Sequence, residues 1–304
     1  LSIHVDAEAL QLADFGAIAG LPMSGQGTAS VDIVGPNADV DISGRLSLRD
    51  LVFAGYAPGV VQSPIAFRGG LLRFPALVGQ KGRTGFSGTA ALDFRKDGLF
   101  IDAQADLPKA RLEDVLALVG PLHPTLQTLQ GSLLGDGAGH VEFHGPAKAN
   151  DGHITLAMKG ATFYGRRLGD AALSLRLDQS EALVLDPLHF KGPLGAFSAS
   201  GRWAFEGGMA FAMALDQGDL TELLGREWAE PSGVTGPASA KLKIEGTPAL
   251  PQLQGYLTSS QVTWAQHPVG PMQLELRMQG RDLEVFGTPF AGARGQLKVL
   301  AREP

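Results

Sequence analysis

Strict period-two alternation runs through most of this chain, and it constrains the fold more than any other feature. In Lys241-Leu242-Lys243-Ile244-Glu245 and Met272-Gln273-Leu274-Glu275-Leu276-Arg277-Met278, every second residue is large and apolar and its neighbours are polar. Val40-Asp41-Ile42, Ile154-Thr155-Leu156-Ala157-Met158 and Leu173-Ser174-Leu175-Arg176-Leu177-Asp178 repeat the pattern, as do Met209, Phe211, Met213 and Leu215 with alanines between them. Side chains two apart share a strand face, so each run is a strand with one apolar side. The runs recur every ~8–12 residues with Gly, Pro or Asp between them, which predicts an all-β architecture and not a βαβ one.

Helical patches are few. Pro108–Val119 spaces Leu112, Val115, Leu116 and Val119 at i, i+3, i+4, i+7 ahead of Gly120-Pro121. Asp219-Leu220-Thr221-Glu222 starts a second with an Asp N-cap and an acid three residues on, and Asp6–Asp14 is a third. The strand after each patch ends alike, at Gly35-Pro36, Gly145-Pro146 and Gly246-Thr247-Pro248, glycines that stand 110 and 101 residues apart. A helix, a glycine-rich link and a series of strands thus form a repeat. The expected divisions are 1–24 (end of a preceding unit), 25–131, 132–231 and a partial unit 232–304, in one continuous elongated domain.

Composition narrows the functions. Of 304 residues, 44% are hydrophobic and 18% charged, which excludes disorder, and the net charge of −6 without a basic run argues against nucleic acid. With no cysteine there is no disulfide, thiolate metal site or cysteine nucleophile. No apolar run reaches the ~20 residues of a membrane helix, and Leu1 opens the chain without a basic leader, so it is expected to be a piece of something longer with any anchor outside it.

Chemistry is hard to find. Gly-x-Ser-x-Gly and the P-loop are absent, and Gly135-x-Gly137-x-Gly139 lacks the last glycine of a dinucleotide fingerprint. His140, His144 and His153 are the only histidine cluster, but on a strand positions 140 and 144 lie about 13 Å apart, too far for one metal. Asp39 and Asp41 share a strand face and read as solvated charges, as do Lys241, Lys243 and Glu245. A carbohydrate-active β-helix would repeat every ~20–30 residues, and the only asparagines here are Asn37 and Asn150, so ladders of asparagine cannot form. We therefore expect no enzyme, no cofactor and no metal.

The segment Val234-Thr-Gly-Pro-Ala-Ser-Ala-Lys-Leu-Lys-Ile-Glu-Gly-Thr-Pro-Ala-Leu-Pro-Gln-Leu-Gln-Gly-Tyr-Leu257 resembles the repeating phrase of the TamB family within the AsmA-like group: a glycine, an alternating strand, Gly-Thr, a Pro-containing link, then Gly and a new strand. Gly145–Leu156 and Gly35–Leu48 are looser copies. The resemblance implies a long, mostly antiparallel sheet curled into an open hydrophobic groove (a β-taco) in the periplasm, the full-length protein being anchored in the inner membrane of a diderm bacterium. It implies a bridge-like phospholipid conduit towards the outer membrane, with an Omp85-type outer-membrane barrel as partner. No docking residue carries over.

On this reading acyl chains lie against the apolar face, and alternation assigns its lining: Ile42, Leu46, Leu48, Ile154, Leu156, Met158, Leu173, Leu175, Leu177, Trp203, Phe205, Phe211, Met213, Leu242, Ile244, Leu274, Leu276 and Met278. The rival expectations are an assembly scaffold for outer-membrane proteins that binds their strands at its sheet edge, and a closed structural repeat whose apolar faces pack on themselves.

Overall fold

The computed structural model describes residues 2–19, 23–36, 40–96, 98–122, 131–179, 181–280, 282–290 and 293–300. Among them the chain is all-β, with nineteen strands and four short helices. In chain order these are β1 (Ser2–Gln11), α1 (Leu12–Ala19), β2 (Met23–Val34), β3 (Asp41–Phe53), β4 (Tyr56–Arg68), β5 (Leu71–Lys81), β6 (Thr84–Asp93), β7 (Phe100–Arg111) and α2 (Leu112–Val119). There follow β8 (Leu133–Pro146), β9 (Asp151–Phe163), β10 (Arg166–Asp178), β11 (Ala182–Gly192), β12 (Gly195–Ala204), β13 (Met209–Asp219), α3 (Leu220–Leu224) and α4 (Arg226–Ser232). The last are β14 (Val234–Thr235), β15 (Pro237–Thr247), β16 (Leu250–Trp264), β17 (His267–Gln279), β18 (Asp282–Phe290) and β19 (Ala293–Leu300). The chain divides into two units, one of residues 1–159 and 175–181, the other of 160–174 and 182–304.

In the first unit β1 to β8 form an antiparallel meander, each strand hydrogen-bonded to the next. In the second, β11 to β13 and β15 to β19 do the same, and β14 adds a short pairing to β16. Short hairpins make this possible: Ala54-Gly55, Tyr164-Gly165 and Ala265-Gln266 all take positive φ as two-residue turns, the backbone twist that hairpins favour. These turns follow Phe53, Phe163 and Trp264 at the same 110- and 101-residue spacing as the glycines 35, 145 and 246.

The three helices that open with leucine sit at equivalent places. Leu12, Leu112 and Leu220 each begin a helix and are all buried. Five residues before each, at Ala7, Leu107 and Leu215, the preceding strand shifts register by a bulge that ends at Leu10, Ala110 and Gly218. Six strands, β2–β7, separate the first such helix from the second, and six more, β8–β13, separate the second from the third. A helix therefore replaces the tight turn between a sixth strand and the next first strand, which still pair: β1 with β2, β7 with β8, β13 with β15.

Two expected helix boundaries move. Asp6–Asp14 is strand to Gln11, because Ile3, Val5 and Ala7 keep the period of two opposite Ile33, Val31 and Ala29, and the helix opens only at Leu12. Likewise Pro108–Arg111 completes β7, and α2 begins at Leu112. In α3, the Asp219 carboxylate accepts a 2.6 Å hydrogen bond from the Thr221 amide, the N-cap that the sequence suggests.

On the apolar face some glycines stand where no side chain would fit. A Cβ at Gly255 would collide with the Lys241 carbonyl oxygen and lie 2.6 Å from Leu242 Cδ2; one at Gly27 would collide with the Ser47 carbonyl and lie 2.8 Å from Leu48 Cδ2. The neighbouring strand approaches so closely there that only a residue without Cβ fits.

Candidate functional site: the apolar face

Strand pairing arranges the apolar residues of the second unit into rows that cross the sheet. One row runs Ala199, Met213, Leu242, Gly255, Leu276, Val285, and the next runs Gly201, Phe211, Ile244, Leu253, Met278, Leu283. A third joins Phe197, Leu215, Ala240, Leu257 and Leu274. Phe211, Met213, Leu242, Ile244, Leu274, Leu276 and Met278 are all half-buried, while Lys241, Lys243 and Arg277 on the opposite face are exposed. Adjacent rows of large, partly exposed apolar side chains are unusual on a water-facing surface and make this face the candidate site.

One end of this face is closed. α3 seats Leu220 against Ala238 and Val262, with Leu223, Val234, Leu257, Val269 and Met272 packed around them. Leu220 keeps only 1% of its surface exposed, so the helix plugs the sheet beneath it. The row beyond the plug, which holds Ile244 and Leu253, remains open among the described residues.

The first unit differs. Ile154, Leu156, Met158 and Leu177 are buried, Leu156 to 3% exposure, and Leu48 is buried as well. Ile42, Leu46 and Leu175 there, and Leu173 of the second unit, are half-buried. α2 packs on β4, β5, β7 and β8 at once, burying Leu112, Val115, Leu116 and Val119. Alternation places these residues on the right face but is blind to what covers it, so the same pattern holds buried and half-buried positions alike. Trp203 is buried, and Phe205 lies past the end of β12 in the turn to β13, its ring 5.3 Å from that of Trp203.

Polar groups gather on the other face. His140 lies between Asp106 (2.7 Å) and Glu142 (3.1 Å), and His4 between Asp32 (2.8 Å) and Asp6 (3.2 Å). The hydrogen bond from His140 to Asp106 raises the His140 pKa above its usual value, and that to Asp32 does the same for His4. His144 faces Asp102 at 3.8 Å. His140–Asp106, His4–Asp32 and His144–Asp102 are cross-strand pairs, and among the described residues no group of three His, Asp or Glu is placed to hold a metal ion. Asp39 lies outside the described residues; Asp41 is exposed and 3.4 Å from Arg68. No helix among the described residues is long and apolar enough to cross a membrane.

No family model, curated protein or solved structure matches the chain.

Proposed function

We propose that this chain is a non-enzymatic carrier of phospholipid acyl chains, with the half-buried rows around Leu242, Ile244, Leu276 and Met278 as the lining and headgroups left in water. The observation that carries the reading is that these rows of large apolar side chains stay partly exposed on one face of the sheet, while α3 covers only one end. Moving a sixteen-carbon chain into water costs on the order of 10 kcal/mol at ~0.8 kcal/mol per methylene, and an apolar trough lowers that barrier without a chemical step. The resemblance to the TamB family extends the proposal to a periplasmic conduit between inner and outer membrane, within a larger membrane-anchored protein that works with an Omp85-type barrel.

Native mass spectrometry with lipid extraction on the chain purified from a Gram-negative host tests this. Co-purifying phospholipid, lost on Ile244→Asp and Leu276→Asp with β-rich circular dichroism retained, supports the carrier. A lipid-free, thermally stable chain overturns it in favour of a self-closed structural repeat.

A further inference from the structure

The face opposite the apolar rows carries a depression of about 680 Å³ in the second unit, spanning β11 to β17. Strand pairing accounts for its shape. Ser198 pairs with Ala214 and Ser200 with Ala212, and these short side chains form a low floor. His189 on β11 borders it on one side, opposite Ser198. Lys241 and Lys243 on β15 border it on the other, opposite Ala214 and Ala212.

The earlier copies of the repeat show what sets these lysines apart. Asp6, Asp106 and Ala214 each stand one residue before the bulges at Ala7, Leu107 and Leu215, and they pair with Ser30, His140 and Lys241. Asp32, Glu142 and Lys243 each stand three residues before Gly35, Gly145 and Gly246. In the first two copies a cross-strand acid and histidine meet at these places, His4–Asp32 at 2.8 Å and His140–Asp106 at 2.7 Å. In the third the acids are gone. Lys241 lies between Ala214 and Tyr256, and Lys243 between Ala212 and Gln254. Among the described residues one carboxylate lines the depression, Glu275, and Arg277 holds it at 2.6 Å. Glu245 lies outside, between Ala210 and Gln252. Two exposed ammonium groups on alternate residues, ~6.6 Å apart along the strand, thus stand together in a chain of net charge −6. An anion between them relieves their repulsion.

We propose that Lys241 and Lys243 bind a phosphate monoester over the floor of serines and alanines. Lysine holds phosphate as a point charge, and a monoester carries about −1.5 to −2 at pH 7, which two lysines balance. Gln254 beside Lys243 and the hydroxyls of Ser198 and Ser200 offer hydrogen bonds to a small polyol bearing the phosphate. The same chemistry comes free, as glycerol 3-phosphate, or as the headgroup of phosphatidic acid. The site lies on the face opposite the acyl-chain lining and does not rest on the carrier reading.

Lysine acylation read by mass spectrometry tests this on the unaltered chain. Glycerol 3-phosphate, and not glycerol, should slow acylation at Lys241 and Lys243 while exposed Lys109 reacts as before. Shielding by phosphatidic acid vesicles alone, and not by phosphatidylcholine vesicles, assigns the site to a lipid headgroup. Shielding by neither phosphate probe, by the controls equally, or at Lys109 to the same degree overturns the proposal. For the probe that shields, Lys241→Gln/Lys243→Gln should weaken binding about tenfold or more, the scale of one lost charge-assisted contact, with the circular dichroism of the parent. Undiminished affinity in that folded variant would refute the site.

Discussion

The hydroxyl of Tyr56, the first residue of β4, donates a hydrogen bond to Oδ1 of Asn150, just ahead of β9, and the Tyr56 ring lies 4.4 Å from that of Phe143 on β8. β4 and β8 are four strands apart in the meander, about 19 Å in a flat sheet at ~4.8 Å per strand. Their contact means that the sheet of the first unit curls on itself with Tyr56 and Asn150 inside, both of them buried. Removing the hydroxyl takes a donor away from a buried amide oxygen, so Tyr56→Phe should cost about 1–3 kcal/mol, read as a lower urea midpoint at unchanged slope. An unchanged midpoint would show the curl to be held by ring packing alone.

Asp114 ties α2 to the β5–β6 turn. One carboxylate oxygen accepts from the Arg83 amide (2.8 Å), the Thr84 amide (3.0 Å) and the Thr84 hydroxyl (3.0 Å). Hydrogen bonds to a charged group contribute about 1.5–3 kcal/mol each. Asp114→Ala should therefore release the helix, with amide exchange rising at Arg83, Thr84 and along 112–119 before the strands respond. Uniform exchange across the unit would contradict a local latch.

How much of this was legible in the sequence depends on the residue. The period of two places Leu156 and Ile244 on the apolar face equally well, and both do lie on the apolar side of their strands. Their burial differs because it depends on what packs over each strand, which no local pattern encodes. The repeat was visible in Gly35, Gly145 and Gly246, whereas the bulges at 7, 107 and 215 emerge only from register. Asp6–Asp14 misleads because alanine and acid alternate there as well in a strand as in a helix.

Leu156 and Ile244 should accordingly respond in opposite ways to the same substitution. Leu156→Asp buries an unpaired charge and should unfold the first unit, and Leu156→Ala should cost about 2–5 kcal/mol. Ile244→Asp, on a half-exposed face, should leave the melting temperature within a few degrees of the parent. Equal destabilisation by circular dichroism would mean that both faces are closed core.

His140 titrates above its unfolded value because Asp106 and Glu142 hold its cation. The stabilisation from these contacts is thus present below about pH 6.5 and fades as pH rises through the higher folded pKa. NMR should place the His140 midpoint above that of an unfolded histidine, and Asp106→Asn should bring it down. A midpoint insensitive to Asp106→Asn would refute the pairing.

A carrier of this design holds acyl chains on the face that carries Ile244 and not on the face that carries Lys243. Because the chain has no cysteine, single Ile244→Cys, Leu276→Cys, Lys243→Cys and Arg277→Cys variants can each carry one fluorophore. Phospholipid bearing a nitroxide midway along its acyl chain should quench the labels at 244 and 276 and leave those at 243 and 277 bright. Equal quenching on both faces, or none on either, would contradict an apolar trough open to lipid.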